Sequence, residues 1–253
     1  MRRGIGADSM GRVTMKTRVV IPRAGFHVVA AALWLAAGAA GAEEFRDGFD
    51  AGLPGRLPPA PWETTGFFWT VERGALRADG AEDSFAVVRG PAAAEGRIEA
   101  RLTVRRVRGA GWKSAGLALY LGPDRFWRLA LVESPGAATA GPKRFAELRE
   151  QLDGVWGAEY ESGTRLASAG ATGSRAWRDG VAYRLVLEFS PAGITGRVLT
   201  PAGKPFWEQS WAFPGAGATS FVATGRPAVE SGGLESAFDD VRARLATAPA
   251  GAA

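Results

Sequence analysis

Chemistry in this chain has to be sought among carboxylates, arginines and aromatic side chains, because the usual nucleophiles and metal ligands are missing. The single histidine is His27, and there is no cysteine. Once the segment holding His27 is removed, a Ser-His-Asp or Cys-His site, a zinc site of the usual ligands and a disulfide are all excluded. Two groups of acids stand out. "ELREQLD" carries Glu147, Glu150 and Asp153, and "EYE" carries Glu159 and Glu161. Glycosidic hydrolysis needs two carboxylates flanking one bond, about 5–5.5 Å apart for retention and further apart for inversion. The first stretch has the wrong spacing for one strand face, and the second has no downstream acid to accompany its pair. No catalytic residue is therefore assigned, and Glu147 is the one acid kept as a candidate.

The second group is Asp47 and Asp50 of "FRDGFD" with Asp239 and Asp240 of "SGGLESAFDDVRARL". Read as an alternating strand, the latter puts Ala237, Asp239, Val241, Ala243 and Leu245 on one side, and Phe238, Asp240, Arg242 and Arg244 on the other. A carboxylate on the apolar side needs backbone amides, an arginine or a cation to offset its desolvation. Asp239 is thus either a fastener of the closing strand or a metal ligand.

The elements that must position these residues are strands. Apolar residues recur with a period of two in "GRIEARLTV", "AGLALYL", "RFWRLALV", "AYRLVLEF", "GITGRVL" and "SAFDDVRARL", separated by Gly, Pro and Asp clusters. "RFAELREQLDG" fits a helical period through Phe145, Leu148 and Leu152, and strand alternation through Ala146 and Leu148. The strand reading continues the pattern of its neighbours. A dozen or so strands without long interruptions exceed the seven-stranded immunoglobulin type and predict an all-β, two-sheet antiparallel jelly-roll sandwich.

Composition bounds the compartment and the partners. "FHVVAAALWLAAGAA" follows a basic stretch and precedes the small-x-small site Ala40-Gly41-Ala42, the pattern of a secretory signal peptide. The run is shorter than the ~20 residues of a membrane-spanning helix, and no later stretch approaches that length. The expected organisation is a removed leader over 1–42, one sandwich domain over 43–246 and a disordered tail over 247–253, exported to the periplasm or beyond the cell. Six of the 31 basic residues and one of the 26 acids, Asp8, lie in the leader, so the net charge of +5 vanishes on its removal. That balance argues against a nucleic-acid partner, which requires an excess of phosphate-neutralising charge.

Parity applied across neighbouring runs collects a surface. Leu117, Leu119 and Leu121, then Trp127, Leu129 and Leu131, then Ala146 and Leu148 face the core. Tyr120, Phe126, Arg128, Phe145, Glu147 and Arg149 face the other way, and Ile98, Ala100, Leu102 and Val104 leave Glu99 and Arg101 outside. Rings for C–H faces and charged forks for hydroxyls are the mixture that sugar recognition uses. A solvated face laced by cross-strand ion pairs is the alternative. Trp112 and Trp156 sit beside Gly-rich turns and are expected on an exposed rim, whereas Trp127 and Tyr183 fall on core parity.

"FRDGFDAGLP", "WTVERGALRA", "AGLALYL" followed by "FWRLALV", "WRDGVAYRLVLE" and the terminal "AFDDVRARL" together resemble the concanavalin A-like lectin and glucanase superfamily, including laminin-G-like domains. The resemblance spans Phe45 to Leu245. It implies a jelly roll whose first and last strands lie side by side, bringing Asp47 and Asp50 near Asp239 and Asp240, where carboxylates would suit Ca²⁺. It also implies a carbohydrate or glycoconjugate ligand. The Glu-x-Asp-x-x-Glu strand of laminarinase-type members is absent. The leading expectation is therefore a non-catalytic binding domain that requires no cofactor, with calcium as the one cation the acids could hold. A carbohydrate-active enzyme, hydrolase or lyase, using Glu147 with another acid or a tyrosine, and a structural envelope domain that holds a protein partner are the alternatives.

Overall fold

The computed structural model of the chain describes residues 42–66, 68–136, 143–157, 167–168, 172–173, 176–213 and 221–246. The leader up to residue 41, the tail from 247, and Glu159, Tyr160 and Glu161 lie outside these residues. Sixteen strands and no helix occur among the described residues. They form two antiparallel sheets. The nine-stranded sheet runs in the order β11 (Ala167–Ser168), β14 (Pro205–Ala212), β13 (Gly193–Leu199), β12 (Ala182–Ser190), β6 (Gly96–Val107), β16 (Leu234–Ala246), β4 (Ala75–Ala78) and β3 (Trp69–Glu72), with β1 (Ala42–Asp47) also paired to β16. The seven-stranded sheet runs β10 (Val155–Gly157), β9 (Arg144–Leu152), β8 (Arg125–Glu133), β7 (Lys113–Gly122), β15 (Arg226–Gly232), β5 (Ser84–Val88) and β2 (Trp62–Thr64). The all-β jelly-roll sandwich read from periodicity is the fold observed, and "RFAELREQL" is the strand β9.

Alternation dictates how the layers meet. Ile98, Ala100, Leu102 and Val104 of β6, Leu117 and Leu119 of β7, Trp127, Leu129 and Leu131 of β8, and Ala146 and Leu148 of β9 all point inward and are buried. Stacked sheets lie about 10 Å apart, so this gap suits large side chains. Trp69, Trp127, Trp177 and Phe238 fill it. An indole N–H shut away from water needs an acceptor. Trp127 Nε1 donates to the Val222 carbonyl at 3.0 Å, and Trp177 Nε1 to that of Val132 at 2.8 Å. Trp211 Nε1 donates across the sandwich to the Leu148 carbonyl at 3.1 Å. At one end the inward row turns polar. Lys113 Nζ donates to Glu133 Oε1 at 3.1 Å, and Arg144 Nε reaches Glu133 Oε2 at 2.7 Å with its guanidinium over Trp177.

Two bulges correct the parity read from sequence. The pairing of β7 with β8 shifts between Tyr120 and Gly122, and Leu121, expected in the core, is 44% exposed. In β16 the pairing with β6 shifts between Asp239 and Arg242, where β16 holds one residue more than its partner and Asp240 adopts φ 50°. An extra residue inverts the faces of everything beyond it. Phe238, expected outside, is therefore core, and so are Val241, Ala243 and Leu245 after the bulge. Asp239, expected on the apolar side, stands opposite Arg101 on the outer face, with Oδ2 3.6 Å from Arg101 Nη1. Its Oδ1 accepts the Asp240 N–H at 2.7 Å and so pins the bulge itself.

The first and last strands do lie side by side, with Asp47 opposite Val241. The four aspartates nevertheless serve separate purposes. Asp47 Oδ1 accepts the Phe49 N–H at 2.6 Å and its Oδ2 accepts Trp62 Nε1 at 2.8 Å, tying β1 of one sheet to β2 of the other. Phe45 and Phe49 pack on that indole. Asp50 is exposed, and Asp240 lies 3.4 Å from Arg242 and 3.7 Å from Arg46. No cluster of three or more side chains that could hold a metal ion occurs among the described residues. Asp47→Ala leaves an indole N–H and a backbone N–H without their acceptor. It is expected to lower stability by about 2–4 kcal/mol, measured by urea denaturation of the purified domain.

Candidate functional site

The outward side chains of the seven-stranded sheet gather into one constellation. Strand register defines its rows. Gly116 of β7 stands between Glu230 of β15 and Ala130 of β8, and Ala130 faces Glu147 of β9. In the next row Ala118 lies between Ala228 and Arg128, and Arg128 faces Arg149. In the third, Tyr120 lies between Arg226 and Phe126, and Gln151 links Phe126 to Trp156 of β10. Short side chains at Gly116, Ala118, Ala130 and Ala228 make a low floor. Larger ones from the strands around it lean over.

Five of the six residues read from sequence as ligand-binding, Tyr120, Arg128, Glu147, Arg149 and Trp156, join in this array, and Phe145 lies beside it. The Arg128 and Arg149 guanidiniums sit 4.2 and 4.7 Å from the Trp156 ring centre. Such stacking is favourable because the ring face is electronegative. Arg128 Nη2 donates to Glu147 Oε1 at 2.6 Å, and Arg149 Nη1 is 3.8 Å from Glu147 Oε2. All three charged side chains are largely buried. Burial pushes the Arg149 guanidinium below its ordinary value, with Glu147 opposing and the Arg128 charge adding to the shift.

The rings are arranged differently from expectation. Tyr120 and Phe126, read as exposed, retain 6% and 4% of their surface, because Phe85 of β5 lies over the alanine floor against both, at 4.8 and 5.0 Å. Trp156 closes on Phe126 edge to face. They form a small second core on the outside of the sheet. Burial also raises the Tyr120 hydroxyl pKa. Trp112 is the exposed ring, 64% accessible, with its edge toward Phe145 at 6.3 Å. Glu99 and Arg101 belong to the other sheet, so they do not extend this surface.

Sequence reasoning missed Glu230. It is 3% exposed and opposes Phe85 in β15, in "RPAVESG". Its Oε2 accepts Ser114 Oγ at 3.2 Å, and Ser114 Oγ accepts Arg128 Nη1 at 3.0 Å. A continuous path therefore runs from Glu147 through Arg128 and Ser114 to Glu230. Its Oε1 meets no hydrogen-bond donor among the described residues. Desolvation raises the Glu230 carboxyl to about 7, with Arg128 and Ser114 opposing and Asp83 and Glu147 adding. The signal that could have found it is the alternation of Arg226, Ala228 and Glu230, hidden by the flanking Pro227 and Gly232. Glu150, also in "ELREQLD", points inward instead. Its Oε1 accepts the Val222 N–H at 2.6 Å, and burial raises its pKa against that bond.

These features define a two-sheet sandwich with a rimmed outer face on its smaller sheet. No family model and no curated protein matches the chain. Among solved structures it is similar to the CBM2 module of the evolved Dit of Lactobacillus casei BL23 phage J-1, with TM-score 0.51 and 12% identity over 82% of this chain and 97% of that one. It is also similar to the xylan β-1,4-xylosidase of Bacillus halodurans C-125, with TM-score 0.53 and 15% identity over 79% of this chain and 38% of that one. The GH43 protein BlXynB of Bacillus licheniformis matches at TM-score 0.53 and 14% identity, over 80% and 39%. The chain spans less than half the length of either of these last two proteins. At such identities the likeness is one of fold.

The buried carboxyl makes a pH prediction with a definite sign. Glu230 in the folded protein holds its proton up to about pH 7, while an unfolded glutamate releases it near 4.5. Between those values the folded state binds the extra proton, so this group's contribution to stability falls as pH rises through the window. Glu230→Gln, neutral at every pH, is expected to match wild type near pH 4.5. Above pH 7 it should exceed wild type by about 3 kcal/mol, read from denaturation midpoints across the range.

Proposed function

We propose that this chain is an exported, non-catalytic binding domain of the concanavalin A-like kind, and that the outer face of its seven-stranded sheet takes a carbohydrate or glycoconjugate. One observation carries the reading: Trp112 stands exposed against Phe145, on the face that also holds the Arg128–Glu147–Arg149 cluster. A pyranose offers an apolar C–H face and equatorial hydroxyls. A fixed ring and charged forks that grip each other in advance suit both without reorganisation. The presence of a CBM2 module and a xylan β-1,4-xylosidase among the similar folds supports a saccharide as the ligand class. The signal-peptide pattern over residues 26–42 supports export.

Trp112→Ala is the direct test. The side chain is exposed, so the variant should keep its thermal midpoint while losing about tenfold or more in affinity for whichever glycan a binding screen identifies. Asp47, Asp239 and Asp240 are engaged within the fold, so chelator should leave that binding unchanged. Absence of binding to every glycan in the screen would remove the proposal.

A second reading, hydrolysis, draws on Glu147 and Glu230, which lie in one row and are joined through Arg128 and Ser114, with the Glu230 carboxyl raised to about 7. Glycosidic cleavage requires two carboxyl groups, one of them protonated to act as the acid. Sugar release from a polysaccharide panel by wild type, and its loss in Glu147→Gln and Glu230→Gln, would favour this reading over binding alone.

A further inference from the structure

The nine-stranded sheet carries a cleft of its own, on the opposite side of the sandwich from the face just described. It has a volume of about 370 Å³ and is walled by arginines from four adjacent strands. On one wall, Arg97 of β6 and Arg184 of β12 are held tightly. Both donate to Glu99, and Arg97 also donates to Glu188. Burial opposes the ionisation of Glu99, but the two guanidiniums outweigh it and hold its pKa below the ordinary value.

The other wall is different. Arg46 of β1 and Arg242 and Arg244 of β16 share only Glu44 and Asp240, at separations of 3.3 to 3.7 Å. Arg242 Nε is buried without a hydrogen-bond partner among the described residues. These three forks are loosely engaged, and two of the three side chains, Arg46 and Arg244, are more than 60% exposed. A guanidinium with spare donors in a fixed plane is matched by a two-oxygen anion.

We propose that this cleft binds an acidic sugar of the uronate type, free or as a unit of an acidic polysaccharide. The mixture of groups selects that chemistry. Arg46, Arg242 and Arg244 offer paired N–H donors to a carboxylate, while Glu44 and Glu99 beside them offer acceptors to ring hydroxyls. The same carboxylates oppose a nucleic-acid backbone, whose phosphates are closely spaced and present no comparable row of donors. Among the described residues no aromatic side chain lines the cleft, so none of them offers a base a stacking face there. The site shares no residue with the face around Trp112, and either can fail without the other.

The experiment measures binding of polygalacturonate, of monomeric galacturonate and of fully methyl-esterified polygalacturonate to the folded protein at low and at physiological salt. It uses wild type, the Arg242→Gln/Arg244→Gln double variant, the single variant Arg46→Gln and Trp112→Ala. The expected result is binding of the acid form, weakened at least about tenfold by esterification and by the double variant, weakened by Arg46→Gln, and unchanged in Trp112→Ala. Binding of the polymer alone identifies a chain ligand, and binding of the monomer as well identifies a single-unit site; both support the inference. Lack of binding to either acid form at low salt overturns it. Wild-type affinity in both Arg46→Gln and the double variant overturns it too, as does equally tight binding of single-stranded DNA, which would mark a general electrostatic patch. The altered residues stand on an exposed face, and unchanged circular dichroism confirms that each variant is folded.

Discussion

The structure depends on one constraint: two pleated sheets have to be held apart by side chains long enough to span the gap, and an indole used for this brings an N–H that has to be paired or left without a partner. Trp127, Trp177 and Trp211 fill space and donate to distant backbone carbonyls, whereas Trp69 fills space with its Nε1 unpaired among the described residues. A chain with no cysteine has no disulfide clamp for this purpose. Non-polar burial carries the sandwich, and polar anchors such as Asp47 on Trp62 set the alignment of one layer on the other.

The two outer faces solve a common problem differently. Each presents charge to water, but the nine-stranded sheet spreads its charge in a lattice in which Arg197 bridges Glu188 and Glu208, and Arg97 bridges Glu188 and Glu99. Exposed pairs of this kind add little to stability. On the seven-stranded sheet the charges are drawn together and partly dehydrated. Removing Glu147 would leave the Arg128 and Arg149 guanidiniums side by side on the Trp156 ring without the carboxylate between them. Concentrated charge held at that cost is the stronger indication of a recognition surface.

Much of this was legible in the sequence because alternation is a local property. The inward sets of β6, β8 and β9 follow from period two alone, and the gathering of Arg128, Glu147, Arg149 and Trp156 follows once those strands are neighbours. Legibility ended wherever a residue was inserted into the ladder. Asp239 and Phe238 were assigned to the wrong faces because a bulge is a pairing event between distant segments, and nothing within "SAFDDVRARL" alone reports it. Leu121 failed for the same reason. Alternation puts Tyr120 and Phe126 on the correct side but by itself predicts them exposed. Their cover, Phe85, comes from a strand that reaches them only through β15. Glu230 was missed because its strand holds Pro227 within it and ends on Gly232, residues that usually interrupt strands.

The floor of glycine and alanines under the second core has a consequence for how such a domain can diversify. Because those four positions leave a shallow tray on the sheet, the rings and guanidiniums resting in it form a veneer rather than part of the frame. Exchanging a few veneer residues would redraw the chemistry offered to a visitor while the tryptophans between the layers stayed as they are. Scaffold and surface chemistry are thereby carried by separate sets of residues.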